Sequence, residues 1–317
     1  MKKFVAILLT LMLVLGVSAA VAEGTTDTTT ATIKKLYKLT NADTTSPEET
    51  FTLEQIGDGK VTDGDAASAP HLGTITGAAF AAGAATVAGT TGNITVALPS
   101  YEKVGKYEYT LKEVAGTTAG VTYYGNDIKL VVTVVNGDNG KLRVAAVHTE
   151  GKGETKNDTF TNTYSAGKLN ITKTVTGNLG DKSKYFEFKV TLTGEAGKTY
   201  GETYAVSGGS YDTNPGSIKI GEETTFMLKH GDTISIANLP YGVKYTVTET
   251  AADGYTTTKS GDTSSINAAE TTAAFTNSKT GTIDTGVTTE SLPYVVLMGF
   301  VVLAGAALLL KRKAHNN

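Results

Sequence analysis

The chain has 317 residues, a length that predicts one to three domains. Its formal net charge of −3 lacks the basic excess of a nucleic-acid-binding protein, so nucleic acid is not an expected partner. Gly, Thr and Tyr are plentiful, Trp and Cys are absent, and short alternating runs are separated by turn signals. This composition predicts an all-β protein without disulfides.

The N-terminus, residues 1–22, has the three parts of a secretory signal peptide. Lys2 and Lys3 form a basic start, residues 5–14 are almost wholly apolar, and Ala20-Val21-Ala22 offers a small-residue cleavage site. An N-terminal membrane anchor is the alternative, but the apolar run is short for one. We therefore expect an exported protein cut after Ala22, with a polar lead-in over residues 23–30.

A first set of strands is predicted from Ala31 to about Tyr164, within a domain spanning residues 23–166. It opens on residues 33–39, which alternate like a half-buried strand, and it closes on a Phe-Thr-Asn strand. Residues 73–93 are rich in Ala, Gly and Thr, and we interpret them as a loop with weak strand content. An extra hairpin is predicted over residues 128–147, turning at Asn136 to Gly140.

Ser165-Ala166-Gly167 is interpreted as a small-residue hinge before a second set of strands, within a domain spanning residues 167–279. The second set repeats the order of the first: an alternating strand, an aromatic strand ending in Glu, and a Phe-Thr-Asn strand. The predicted fold is two tandem β-sandwiches of immunoglobulin-like type.

The two repeats share an anomaly of side-chain phase. In each, a Lys, a Glu and an Asn fall in phase with the apolar residues of their strands, so the pleat points all three into the core. Such residues are rarely buried unless they are paired. The candidates are Lys35, Glu113 and Asn162 in the first repeat, and Lys173, Glu249 and Asn277 in the second.

A buried amine, carboxyl and carboxamide can react with one another. Burial makes the neutral forms of an amine and a carboxylic acid more accessible, and a neutral amine held beside a carboxamide is a nucleophile. The carboxyl group can polarise the amide and relay a proton, so that ammonia leaves and a Lys–Asn isopeptide bond remains. A buried Lys–Glu ion pair with a hydrogen-bonding Asn is the alternative, and the recurrence of the trio favours the crosslink.

These features resemble the backbone pilins of Gram-positive bacteria, in particular the two-domain streptococcal T-antigen type, across nearly the whole secreted chain. In that family an inward Lys of the first strand bonds to the Asn of a terminal F-x-N motif. The catalyst is the Glu of a Y-x-x-x-E or Y-x-V-x-E strand. The resemblance implies crosslinks Lys35–Asn162 and Lys173–Asn277, with Glu113 and Glu249 as autocatalytic residues.

The C-terminal residues 280–317 resemble the family's cell-wall sorting signal. A Thr-Ile-Asp-Thr-Gly motif, residues 282–286, stands in place of LPxTG, with Thr for Leu and Ile for Pro. It precedes an uncharged run, residues 294–310, that spans a bilayer marginally, and a Lys-Arg-Lys tail. The resemblance implies that a pilin sortase cleaves between Thr285 and Gly286.

The implied product is a covalent homopolymer in which Thr285 is joined to a Lys of the next subunit. Lys156 is the best candidate, Lys152 the runner-up, and a solvated surface role for Lys156 stays open. Minor or tip pilins and peptidoglycan are the other implied partners, and the implied location is a wall-anchored pilus. No cofactor is expected, and the scattered His residues predict no metal site.

The sequence therefore predicts a structural shaft subunit that supports surface adhesion, without turnover as an enzyme. One alternative is a monomeric wall-anchored adhesin or stalk built from the same crosslinked domains. Another is an exported glycan-active enzyme, which requires Glu113 and Glu249 to form a carboxylate pair in an open cleft.

Overall fold

The computed structural model describes residues 27–153 and 155–283, together with residues 296 and 298. Residues 27–153 and 155–283 are all-β apart from a 3-10 turn, Asp138–Gly140, and residues 296 and 298 are helical. The predicted signal peptide, Thr285 and Gly286 lie outside the described residues, as does nearly all of the predicted membrane segment. Among the residues described, no helix is long and apolar enough to cross a membrane.

Twelve strands form the first sandwich. They are β1 (Thr30–Leu39), β2 (Glu49–Phe51), β3 (Leu53–Gln55), β4 (Lys60–Gly64), β5 (Ile75–Thr76), β6 (Ala78–Phe80), β7 (Thr90–Ala97), β8 (Gly105–Glu113), β9 (Val121–Thr122), β10 (Ile128–Asn136), β11 (Leu142–Glu150) and β12 (Thr159–Tyr164).

Two sheets of this first sandwich enclose its core. One has the order β5-β7-β1-β12-β9, and the other has the order β11-β10-β8-β3 with β4 also paired to β8. Strands β10 and β11 form the predicted extra hairpin, and the low-complexity stretch contributes the short strands β5 and β6. Strand β1 alternates between buried and more exposed residues, because one face packs on the opposite sheet.

Ten strands form the second sandwich. They are β13 (Ala166–Thr176), β14 (Phe186–Thr193), β15 (Tyr204–Gly208), β16 (Ser217–Ile218), β17 (Glu223–Leu228), β18 (Thr233–Pro240), β19 (Lys244–Glu249), β20 (Thr256–Ser260), β21 (Thr263–Ser265) and β22 (Glu270–Ser278).

The second sandwich repeats the architecture in a more compact form. Its sheets have the orders β16-β15-β18-β13-β22-β20 and β17-β14-β19-β21. It has its own apolar core, separate from that of the first sandwich. The tandem all-β architecture predicted from the alternating runs is therefore confirmed.

The interpretation of residues 165–167 as a hinge is wrong. Only Ser165 lies between β12 and β13, and its backbone N–H and C=O bond to Gly120 and Tyr241. Ala166 is fully buried, and Gly167 packs so closely that a Cβ would lie 2.1 Å from the Ala268 carbonyl oxygen. Ala166 and Gly167 therefore belong to strand β13, where close packing explains their small side chains.

Contacts between the sandwiches also hold the junction. The Asn238 side chain accepts from the Thr45 N–H at 2.9 Å and donates to the Thr45 carbonyl at 3.0 Å. Asn238 has a φ of 57°, a left-handed conformation that Asn tolerates better than most residues. The Asn41 amide donates to the Ala166 carbonyl at 2.6 Å and to the Tyr241 hydroxyl at 2.8 Å.

Candidate functional site

Strand pairing brings the predicted Lys and Asn of each sandwich together. Strands β1 and β12, the first and last of the first sandwich, are parallel neighbours, with Tyr37 opposite Asn162 and Lys35 two residues earlier. In the second sandwich β13 and β22 pair in the same way, with Val175 opposite Asn277 and Lys173 two residues earlier. In both parallel strand pairs the Lys therefore lies two residues before the residue that faces the Asn.

The Glu of each trio comes from the opposite sheet. Glu113 is the last residue of β8 and Glu249 is the last residue of β19, and both strands belong to the facing sheets. Each carboxylate therefore reaches across the sandwich to the parallel strand pair. Strand periodicity predicts this direction, since both Glu residues are in phase with inward-facing aromatic and aliphatic residues of their strands.

The first trio is sealed from solvent. Lys35, Glu113 and Asn162 have relative exposures of 1%, 4% and 0%. The Lys35 ammonium pairs with Glu113 Oε2, and the Asn162 amide donates to Glu113 Oε1 at 2.5 Å. The backbone N–H of Tyr124 also donates to Oε1, at 3.3 Å.

The side chains of the second trio are also enclosed, but their hydrogen bonds differ from those of the first. The side chains of Lys173 and Glu249 are 0% and 2% exposed, and Asn277 is fully buried. Both donors converge on one oxygen, since Lys173 Nζ lies 2.7 Å and Asn277 Nδ2 lies 2.5 Å from Glu249 Oε1.

Aromatic rings cover both amines. Lys35 Nζ lies 5.4 Å from the Phe51 ring centroid and 5.6 Å from that of Tyr124. Lys173 Nζ lies 4.3 Å from the ring centroid of Phe186. Burial holds the pKa of both lysines below the usual value, although the adjacent carboxylates oppose the shift.

This geometry permits the predicted chemistry. In each trio the carboxyl group is bonded to both the desolvated amine and the carboxamide, so the proton carrier contacts the nucleophile and the electrophile. The same contacts also suit a buried ion pair, which is costly to bury unless its remaining hydrogen bonds are satisfied. In both trios the Asn carbonyl oxygen is buried without a hydrogen-bond donor.

The rival enzymatic interpretation fails on the placement of the carboxylates. Glu113 is buried with the first core and Glu249 with the second, so the two cannot flank one substrate in an open cleft. Across the described part of the chain, no cluster of His, Asp and Glu has the arrangement of a metal site.

The candidate acceptor lysines lie on the surface. Lys156 and Lys152 are both exposed, in the connection between β11 and β12. The backbone of Lys156 forms an isolated antiparallel β-bridge with that of Glu150. This location is compatible with attack on an acyl-enzyme, and it is equally compatible with a solvated side chain.

Neither the aromatic cover nor the Tyr124 N–H is evident from the sequence. Phe51 and Tyr124 come from segments distant in sequence from the trio, so no local spacing marks them. The inward phase of Phe186 on β14 was a usable signal, because that strand lies opposite the Lys strand.

Family models match both sandwiches. Residues 31–165 match the family model described as a Spy0128-like isopeptide containing domain. Residues 167–279 match a domain of unknown function, DUF7601.

Two curated proteins of Streptococcus pyogenes are similar in sequence. A pilin of serotype M1 is 29% identical over 239 residues, covering 68% of this chain and 69% of the pilin. The pilus tip adhesin Cpa is 36% identical over 131 residues, covering 39% of this chain but only 18% of the adhesin.

Solved structures share the fold. The major pilin of Streptococcus pyogenes matches with a TM-score of 0.55 and 22% identity, covering 81% of this chain and all of the pilin. The T3.2 major pilin of the same species matches with a TM-score of 0.50 and 21% identity, covering 80% of this chain and 99% of the pilin. Residues 31–165 therefore match an isopeptide-containing domain family, and 68% of the chain is similar in sequence to a streptococcal pilin.

Proposed function

We propose that this chain is the shaft subunit of a cell-surface pilus and that each sandwich closes its own Lys–Asn isopeptide bond. The bonds are Lys35–Asn162 and Lys173–Asn277, and the boundary between the two crosslinked domains lies at residues 166/167. The observation that carries the proposal is the recurrence of one buried trio, in one register, on the first and last strands of both sandwiches.

The reaction needs no external reagent. The ammonium of the Lys gives a proton to the Glu carboxylate, and the neutral Nζ attacks Cγ of the Asn. The Nζ–Cγ bond forms, and the Glu passes its proton to Nδ2 and then carries a second proton from Nζ to Nδ2, so that the Cγ–Nδ2 bond breaks and the nitrogen leaves as ammonium. The Glu ends as it began, and each site reacts once.

The crosslink suits a protein that transmits tension. It joins parallel neighbouring strands that carry the two ends of each sandwich, so force passes along the bond and not through the folded strands between. If the entropic account of disulfides applies, closing a loop of about 100 residues also stabilises each domain by about 4–5 kcal/mol.

Polymerisation is the second part of the proposal. A pilin sortase cleaves between Thr285 and Gly286 and transfers the Thr285 carbonyl to Lys156 of the next subunit, with minor or tip pilins and peptidoglycan as further partners. The exposed position of Lys156 and the similarity to a pilin and a pilus tip adhesin support this scheme. Export and wall anchoring are proposed from the terminal sequences.

The test is the covalent state of the protein in a host that carries the matching sortase. Wall extracts should contain a ladder of detergent-resistant multimers that collapses to the monomer without the sortase or in Lys156→Ala. Lys152→Ala, an equally exposed neighbour, is the matched control and should keep the ladder.

The alternative function is a monomeric wall-anchored adhesin or stalk, and the similarity to a tip adhesin is the observation that favours it. It predicts one band in the wall fraction of every strain. A single band in the wild type would therefore reject the shaft subunit while leaving the internal crosslinks untouched.

A further inference from the structure

The chain leaves the second sandwich beside the loop that follows β13. Strand β22 ends at Ser278, and the backbone after it bonds to the end of β13 and to the start of that loop. The Lys279 N–H donates to the Thr176 carbonyl at 3.1 Å, and the Leu179 N–H donates to the Lys279 carbonyl at 3.1 Å. The chain therefore stays attached to the sandwich beyond its last strand.

The side chain of Asn178 extends this attachment to Gly281. Its amide nitrogen donates to the Gly281 carbonyl at 2.7 Å, and its amide oxygen accepts from the Gly281 N–H at 3.1 Å. A carboxamide offers the same kinds of donor and acceptor as a peptide group, so Asn178 acts here like one more residue of a paired strand. Within the described residues, these are the last hydrogen bonds along the chain.

The loop that carries Asn178 is itself held in place. Gly177 has a φ of 87°, and a Cβ at this position would lie 2.1 Å from the Lys279 carbonyl oxygen, so the close approach requires glycine. The Asp181 N–H donates to the Tyr255 hydroxyl at 2.9 Å, and Lys279 Nζ lies 5.4 Å from the ring centroid of Tyr255. Asn178 therefore holds the departing chain from a fixed position on the sandwich.

Gly281 is close in sequence to the residue that the proposed function joins to the next subunit. Residues 282–284 separate it from Thr285, and four residues of fully extended chain span at most about 14 Å. The proposed acceptor, Lys156, precedes β12, and β12 ends at the junction, so Lys156 lies at the opposite end of the first sandwich. A bond from Thr285 to Lys156 of the next copy therefore brings that end close to Gly281.

Two exposed apolar side chains lie next to this attachment. Leu179 is 47% exposed, and a Cβ on Gly281 would lie 2.4 Å from its Cδ1, so these two residues are neighbours. Ile283, two residues after Gly281, is 64% exposed. Apolar surface is stabilised when a partner covers it. In a polymer with so short a linker, the nearest partner is the next copy of the chain.

We propose that Asn178 is a positioning residue for the covalent link between subunits. By holding Gly281 on the second sandwich, it keeps the free linker to Thr285 short. The end of the sandwich is then held against the loop that carries Lys156 in the next copy of the chain, with the two apolar side chains in the contact. The inference rests on the proposed polymerisation.

The stiffness of the shaft depends on this contact. Without the Asn178 side chain, the last attachment along the chain is the backbone pairing of Lys279, so six free residues lead to Thr285 in place of four. A longer free linker samples a wider range of distances and directions. The joint between successive subunits should therefore bend more easily.

The experiment compares pili made by a host that carries the matching sortase. Asn178→Ala removes both side-chain bonds to Gly281, and Ser183→Ala is the matched control, since the Ser183 hydroxyl lies in the same loop and donates to Asp181. Electron microscopy of sheared pili gives the persistence length of the shaft. Hydrogen exchange read by mass spectrometry reports the Gly281 N–H, and thermal unfolding of the monomers shows that the sandwiches still fold.

We expect Asn178→Ala to form the same ladder of multimers as the wild type. Its pili should have a persistence length shorter by roughly twofold, because the free linker is longer. The Gly281 N–H should exchange about tenfold faster, because two hydrogen bonds that hold it are lost. Ser183→Ala should match the wild type in both measurements.

An unchanged persistence length in Asn178→Ala would overturn the proposal. Loss of the ladder in this variant alone, with unchanged thermal unfolding, would also overturn it, since Asn178 would then act on the sortase reaction and not on the finished link. A wild type without any ladder would reject the polymerisation itself, and this inference with it.

Discussion

The two sandwiches contain the same buried trio, although the segments that separate its residues in sequence differ in length. The separation from Lys to Glu is nearly equal, 78 and 76 residues, whereas that from Glu to Asn is 49 in the first sandwich and 28 in the second. The additional residues form the hairpin of β10 and β11, at the edge of the sheet opposite β1 and β12. Insertions there leave the parallel pairing of the first and last strands unchanged.

The comparison shows which features the trio requires. Register places Lys and Asn together, the facing sheet supplies Glu, and two aromatic rings exclude water in both sandwiches. The distribution of donors over the two carboxylate oxygens differs between the trios, so that distribution is not a shared feature of the site. Variants that alter one sandwich at a time can separate these contributions.

The largest expected effect comes from removing the proton carrier. Glu249→Ala should prevent the second crosslink and lower the melting temperature of that sandwich by roughly 10–20 °C, because a loop closure worth about 4–5 kcal/mol is lost. Glu113→Ala should do the same for the first sandwich only. Differential scanning calorimetry with separate transitions for the two sandwiches measures the change.

Asn277→Ala is the matched control for the unpaired buried amine that Glu249→Ala creates. It also prevents the bond but keeps the Lys173–Glu249 ion pair, so it should lower the melting temperature less than Glu249→Ala, which leaves an unpaired buried amine. Unchanged transitions in all three variants would show that no bond contributes to stability.

A smaller effect is expected at the junction. Asn238→Gly keeps the left-handed backbone accessible but removes both side-chain bonds to Thr45. The melting of each sandwich should be unchanged, whereas small-angle scattering should report a broader range of interdomain distances. Identical scattering from variant and wild type would mean that the β12–β13 connection alone fixes the geometry.

The smallest effect is a pH dependence in a chain without the second bond. In Asn277→Ala, burial keeps the pKa of Lys173 below the ordinary lysine value of 10.5, so the unfolded state binds more protons. Stability should therefore rise as the pH increases toward that value. Subtracting the denaturation profile of Asn277→Ala/Lys173→Met cancels the tyrosine titration, and a flat difference would contradict the assignment.

The sequence predicted the trios well because strand periodicity is a strict constraint. A residue two positions from a buried Ile or Tyr must face the same side, so the inward direction of Lys35 and Glu249 followed from local spacing. The hinge prediction was wrong because small residues permit both flexibility and close packing, and only tertiary structure distinguishes them. At Gly167 the close approach of the Ala268 carbonyl shows that the small residue serves close packing.

Other features depended on contacts between distant segments. The Tyr124 N–H reaches Glu113 from a loop, and Asn238 meets Thr45 across the junction. Neither contact has a periodic signature, because each arises from the packing of whole elements. The candidate residues Thr285 and Lys156 stay predictions that rest on the terminal motif and on surface position.

The intact mass of the recombinant ectodomain, residues 23–281, tests the central claim most directly. The account predicts a mature chain lighter than its sequence by two ammonia molecules, with one restored in Glu113→Ala, one in Glu249→Ala and both in the double variant. A wild-type mass equal to that of the unmodified sequence would contradict it.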